Sequence, residues 1–179
     1  MIHPSIRREA WVVAAIDALR SVDSWTGRIH VHKHLFITQV LELAKPPFEF
    51  ELYQYGPYSF GLDRKIAELE AYGMLTKEYE QPGYGARYMA TEASKSLIKE
   101  LSSKLLNVIR RVAEAVGKED SKKLELIATC LWVERREGVR DEDKLADVVR
   151  NIKPRYTRDE IVRANKQAHK LEQQLCTPT

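Results

Sequence analysis

A chain of 179 residues can bury one sizeable core, or one compact domain with an extension sharing it, and leaves little room for two independent domains. With 44% apolar and 31% charged residues and few Gly or Pro, the composition is that of a folded, helix-rich protein and excludes a disordered tail; no apolar run approaches the roughly 18 residues of a membrane span, and no secretory leader is visible, so a cytoplasmic location is expected. The net charge is +3, but residues 1–90 hold ten Lys and Arg against eleven Asp and Glu, so the basic surplus belongs to the second half.

The first predicted helix runs from about Ser5 to Arg20, with Val12, Ala15, Ile16 and Leu19 at helical spacing and Trp11 as an anchor. A loop to Gly27 precedes a second helix, Val31 to Ala44, which Pro46-Pro47 is expected to stop. The period then changes to two, since Phe48, Phe50 and Leu52 alternate with Glu49, Glu51 and Tyr53 as in a half-buried strand. The turn Tyr55-Gly56-Pro57-Tyr58-Ser59 follows, and Ser59 is the expected N-cap of a helix with Leu62, Ile66, Leu69 and Tyr72 on one face and Gly73 at its end. Met74 to Glu80 and Ala86 to Ala90 read as the arms of a β-hairpin with Pro82 to Gly85 at its tip.

Helix, helix, strand, helix, hairpin is the element order of a winged helix. The expected fold is therefore mainly α with a small β component: a winged-helix-like half over residues 1–90 and a helical extension over 91–179 packing on it. In the extension, Thr91 is the expected cap of one long helix to Val116, a possible dimerisation element, with Gly117 ending it. Leu124, Ile127, Ala128, Leu131 and Trp132 mark a further buried face, a short helix spans about Asp141 to Arg150, and Thr157-Arg158-Asp159-Glu160 is a capping box opening a last helix with Ile161, Ala164, Ala168, Leu171 and Leu175 inward.

Motifs of catalysis are sparse. The sequence lacks a phosphate-binding glycine loop ending in Lys-Ser/Thr, an HExxH pair, paired CxxC units and a GxSxG elbow. Its two cysteines, Cys130 and Cys176, are too few for a disulfide framework or a cysteine zinc site. His30, His32 and His34 would line one face of an extended segment and could then bind a metal; on a helix only His30 and His34 share a face, and a surface or partly buried role is expected instead. Asp141-Glu142-Asp143 is read as a complement to a helix dipole. Neither a metal nor a cofactor is expected. Arg163 and His169, six residues apart, resemble the Arg/His pair of HEPN-type ribonucleases, although Ala164 stands where that motif has a polar residue.

Two kinds of binding are open. For nucleic acid, the helix after Ser59 offers Arg64 and Lys65 and the hairpin Arg87, each among carboxylates, while residues 150–170 are more basic, with Arg155, Arg158, Arg163, Lys166 and Lys170. For a protein partner, Tyr53, Tyr55, Tyr58 and Ser59 offer amphipathic area around the turn.

The stretch Lys33-His34-Leu35-Phe36, the strand Phe48 to Tyr53, Tyr55-Gly56-Pro57-Tyr58-Ser59, and Leu62 and Leu69 up to Gly73 together resemble the YwgA-like family and, more distantly, the Panacea or SocA-like antitoxin domains and the antitoxin half of DarG-type proteins. Lys153-Pro154, Tyr156-Thr157, Glu160-Ile161 and Ala164 are similar to the end of YwgA-like chains. His34 departs from the pattern, which prefers an aliphatic residue there. The resemblance implies a winged-helix-like protein of prophage, toxin–antitoxin or defence genes, often one that neutralises a toxin by binding it. The expectation is a non-catalytic antitoxin or regulator that binds a protein, with a DNA-binding transcriptional regulator as the alternative and a ribonuclease as a minor one.

Overall fold

Two helices whose middle turns are buried on every side organise the fold. The computed structural model describes residues 4–79 and 85–177. In α1 (Pro4–Ser21) the seven consecutive residues Ala10 to Ile16 are all buried, and in α2 (Arg28–Val40) His30 to Thr38 are. A helix buried all round needs neighbours all round. Accordingly α2 is packed by α1, by β2 (Gly56–Tyr58), by α5 (Ser103–Val116) and by α6 (Ser121–Arg136), while α1 is covered by α3 (Phe60–Ala71), by α4 (Glu92–Ile98) and by α5. One buried apolar cluster runs through both halves of the chain, from Ala10 to Leu175. Among the described residues are eight helices and two separate two-stranded sheets, so the protein is mainly α with a small β component.

Several elements depart from the expected ones. Helix α2 begins at Arg28 and stops at Val40, before the prolines: Glu42 takes the left-handed conformation (φ 56°), and the N–H groups of Glu42 and Leu43 close onto the Gln39 and Thr38 carbonyls at 3.0 and 3.2 Å. That satisfies the helix's last carbonyls without help from Pro46. Only Glu51–Tyr53 of the predicted strand is β1, and the predicted turn after it is half of a hairpin. Gly56–Tyr58 is β2, paired antiparallel with β1 in the register Glu51 to Tyr58, Leu52 to Pro57 and Tyr53 to Gly56, with Gln54-Tyr55 as the two-residue loop. The later hairpin pairs β3 (Leu75–Glu78) with β4 (Arg87–Ala90); of its expected tip, Pro82 to Gly85, all but Gly85 lies outside the described residues.

Ser59 caps α3 by accepting from Leu62 N at 3.2 Å, and Gly73 (φ 67°) ends it. Leu62, Ile66 and Leu69 are buried, but Tyr72 points out, 80% exposed. The expected long helix 92–116 is broken at Lys99 to Ser102, where Ser102 starts α5 by accepting from Leu105 N. The outward side of α5 carries Lys104, Asn107, Arg110 and Glu114. Gly117 is not left-handed; a Cβ there would meet Val22 and the Ala113 carbonyl at about 2.5 Å, so close packing demands the glycine. Helix α7 (Glu142–Ile152) is capped by Asp141, and α8 (Arg158–Cys176) opens with the expected capping box, Thr157 N donating to Glu160 Oε2 at 2.7 Å. Ile161, Ala164, Ala168, Leu171 and Leu175 are all buried, as their spacing required. Among the described residues no helix is long and apolar enough to cross a membrane.

Candidate functional site: an aromatic face over buried charges

The β1–β2 hairpin lies on α2 and α6 because Gly56 allows it. Its φ of 79° disfavours any side chain, and a Cβ would sit 2.9 Å from Thr129 Oγ1 and 3.2 Å from the Glu125 carbonyl. Pro57 stands opposite Leu52, and its carbonyl turns away from β1 to accept a hydrogen bond from Lys33 Nζ at 2.8 Å. Having no N–H, proline suits a position where the ladder asks for none.

Beneath the hairpin is a cluster of buried charge. Lys33, Glu125 and Lys153 are 1%, 2% and 5% exposed. Lys153 Nζ donates to the Tyr53 carbonyl at 3.3 Å and to the Gln54 carbonyl, and lies 3.1 Å from Glu125 Oε1 in an ion pair without hydrogen-bond alignment. The other carboxylate oxygen, Oε2, receives Nη2 of Arg155. Burial pushes the Lys33 ammonium down to about 7; the nearby Glu125 carboxylate opposes that shift and Lys153 adds to it. Two stretches far apart in sequence, around Lys33 and around Lys153, thus meet at Glu125 beneath the Gly-Pro strand.

Above these charges the hairpin and the start of α3 carry a face of contacting rings. The centroids of Tyr53 and Tyr58 are 5.7 Å apart, of Tyr53 and Phe60 5.3 Å, and of Tyr58 and Phe60 5.1 Å. Tyr53 and Phe60 are each more than half exposed. The inner face of Tyr58 stacks on His32 at 4.3 Å, and an Arg28–Asp63 ion pair borders the group. Hydrogen bonding to Asp63 adds to burial in raising the Tyr58 hydroxyl to about 12.

The sequence-predicted tyrosines separate here. Tyr53 and Tyr58 belong to this face, together with Phe60, which periodicity alone did not single out; Ser59 is buried as the helix cap. Tyr55 packs instead against Arg155, 5.7 Å from its guanidinium.

The predicted basic residues are largely engaged within the protein. Arg64 lies 3.8 Å from Glu68, Lys65 contacts both Glu9 and Glu68, and Arg87 lies over the Trp25 ring at 5.3 Å. Arg158 pairs with Asp143 and Asp147, and Lys166 is 4.0 Å from Glu142. Arg163 and Lys170 have no ion pair among the described residues. Asp141 caps α7 through the Lys144 N–H. His169 binds Glu134 at 3.0 Å, which gives it a structural partner of its own.

The three α2 histidines are all buried, contrary to the surface or partly buried role expected of them, because α2 has no outer face. They diverge. His30 contacts the Glu119 carbonyl, His32 the Arg28 and Ser59 carbonyls, and His34 the Ile109 carbonyl. Among the described residues no group of three His, Cys, Asp or Glu side chains is placed to hold a metal. Neither a protein-family model nor a curated protein matches the chain.

Proposed function

We propose that this chain is a non-catalytic binding module of winged-helix type that recognises a protein partner through the Tyr53–Tyr58–Phe60 face. The observation that carries the reading is that two exposed rings, Tyr53 and Phe60, contact each other and the half-buried Tyr58, which His32 braces from below. Exposed aromatic residues braced by a folded scaffold lose little freedom on binding and serve as interface anchors. Supporting the winged-helix part, Ser59 and Gly73 delimit a three-turn helix that leads directly into the β3–β4 hairpin. The outer side of that helix carries Phe60, Arg64, Ala67 and Ala71, so small residues leave room for a partner's backbone.

The resemblance to the YwgA-like family gives this module its setting: an antitoxin or regulator of a defence, toxin–antitoxin or prophage system, acting in the cytoplasm on a toxin or effector. The test is capture of one stoichiometric protein partner by the wild-type chain, lost in Tyr53→Ala with Phe60→Ala and kept in Arg64→Ala with Lys65→Ala. Capture that survives removal of the rings sinks the proposal. Arg163 and Lys170, without an ion pair among the described residues, favour a second reading as a DNA-binding regulator, which a salt-dependent duplex affinity lost with those two residues would support.

A further inference from the structure

Arg155 is held from three directions. Its guanidinium lies 5.7 Å from the Tyr55 ring centroid and 5.1 Å from that of Tyr156, and its Nη2 binds the buried Glu125. The side chain is nevertheless half exposed, and its Nε and Nη1 groups have no acceptor among the described residues. A planar fork fixed in this way is preorganised for an oxyanion, because the entropy of ordering it has already been lost. Charge counting points the same way. Lys153 and Arg155 both pair with the one carboxylate of Glu125, so the two cations outnumber the anion that they share.

Arg155 stands at the end of a cleft of about 400 Å³ between β1 and the connection from α7 to α8, with Leu52, Ile152 and Pro154 as apolar walls and Tyr53 and Gln54 beside them. Leu52 faces Pro57 across the hairpin, a pair that exchanges no hydrogen bonds, so its own N–H and C=O point outward from β1. Neither has a hydrogen-bond partner among the described residues. At the start of this strand Glu51 is exposed, as is Glu49 just ahead of it. The positive field is therefore confined to the Gln54 end, which suits one carboxylate and disfavours a polyanion. Tyr53 belongs both to this cleft and to the aromatic face, making the two surfaces continuous.

We infer that this cleft receives an extended segment of the protein partner in which one Asp or Glu stands among apolar residues, the strand edge at Leu52 meeting its backbone and Arg155 its carboxylate. The inference rests on the protein-partner reading of the neighbouring aromatic face.

The test is a heteronuclear NMR titration of the full chain with three probes: the amidated, acetylated peptides Ser-Val-Glu-Val-Ser and Ser-Val-Gln-Val-Ser, and inorganic phosphate. The Glu peptide is expected to shift the Leu52 amide and the Arg155 Nε resonance and to bind at least about tenfold more tightly than the Gln peptide, the scale of a charge-assisted hydrogen bond. In Arg155→Lys, which keeps the charge and loses the fork, that preference should disappear. Equal binding of the two peptides, shifts elsewhere on the surface, or phosphate binding Arg155 more tightly than the Glu peptide does would each overturn the inference. The comparison of peptides uses the wild-type chain and so does not depend on a variant folding. A partner whose capture needs Phe60 but is unaffected by Arg155→Lys would leave the aromatic-face reading standing and remove this one. Loss of neither would remove the reading beneath it.

Discussion

Lys33 Nζ and the Pro57 carbonyl, 2.8 Å apart, join the central helix to the strand of the Tyr-Gly-Pro segment. The lysine reaches that carbonyl only by being buried, and burial sets its titration. An unfolded chain holds the lysine proton to about pH 10.5, while the folded one releases it near 7. Between those values the unfolded state binds more protons, so stability rises with pH, by up to about 1.4 kcal/mol per unit. Urea unfolding of the wild type from pH 7 to 8.5 should show that rise, and Lys33→Met should lack it. The window stops short of pH 9 because the Cys130 thiol, pushed by burial up to about 12, acts in the opposite direction above it. Parallel pH curves for the two proteins would show that Lys33 keeps an ordinary titration.

Among the described residues Glu125 is the only carboxylate in contact with Lys153 and Arg155, and it is 2% exposed. Glu125→Gln leaves Lys153 buried with carbonyl partners alone, a change that typically costs about 3–5 kcal/mol. Adding Lys153→Met to Glu125→Gln should recover part of the loss, since the second substitution removes the stranded charge. Denaturant unfolding of both variants checks this. A double variant less stable than the single one would show that Lys153 matters for its carbonyl bonds to the hairpin rather than for its charge.

Gly56 and Gly73 separate conformational strain from crowding. Both have positive φ, 79° and 67°, but a Cβ at Gly73 meets nothing within 4 Å, whereas one at Gly56 meets Thr129 and the Glu125 backbone. Gly73→Ala should cost the left-handed penalty alone, about 1–2 kcal/mol. Gly56→Ala should cost clearly more and should also displace the hairpin, visible as changed resonances of Tyr53 and Tyr58. Equal costs would mean that the hairpin moves off α6 without penalty.

Elements governed by local chemistry were legible in the sequence: the Ser59 cap, the Gly73 stop, the capping box at Thr157 and Glu160, and the inward stripe of α8 all follow from residues within one or two turns of each other. Where burial comes from all sides, the pattern fails. One-face periodicity has no meaning for α2, so nothing in its pattern marks the histidines as buried, and Pro46-Pro47 are a misleading signal for an end that Glu42 sets. The buried ion cluster was only half visible. Lys33 and Lys153 belong to the segments that carry the family resemblance, whereas the only sequence sign of Glu125 is that a lone acid stands between Leu124 and Leu126 in an apolar run, itself a mark of a buried pair. Phe60 carries no such sign, because an aromatic residue just after an N-cap is as consistent with a hydrophobic contact as with an exposed anchor.

His34 should make the fold sensitive to acid. Its Nε2 faces the Ile109 carbonyl at 2.8 Å, while Nδ1 is buried with no acceptor, so a second proton would have no partner. Burial accordingly lowers this imidazole from 6.5 to about 4, and the same displacement affects His32. An unfolded chain takes up these protons near pH 6.5 and the folded one only near 4, so the stabilising contribution is complete above 6.5 and is lost as pH falls toward 4. For His34 the loss is at most roughly 3 kcal/mol by pH 4. His34→Gln, whose amide can still donate to the Ile109 carbonyl, should be less stable at pH 7 through imperfect packing but should lose less stability between pH 6.5 and 4. His32 is displaced as far although acceptors lie against both of its nitrogens, so His32→Gln should flatten the acid curve about as much. Denaturation midpoints of the three proteins at half-unit pH steps check this, and a steeper response in His34→Gln than in the wild type would contradict it.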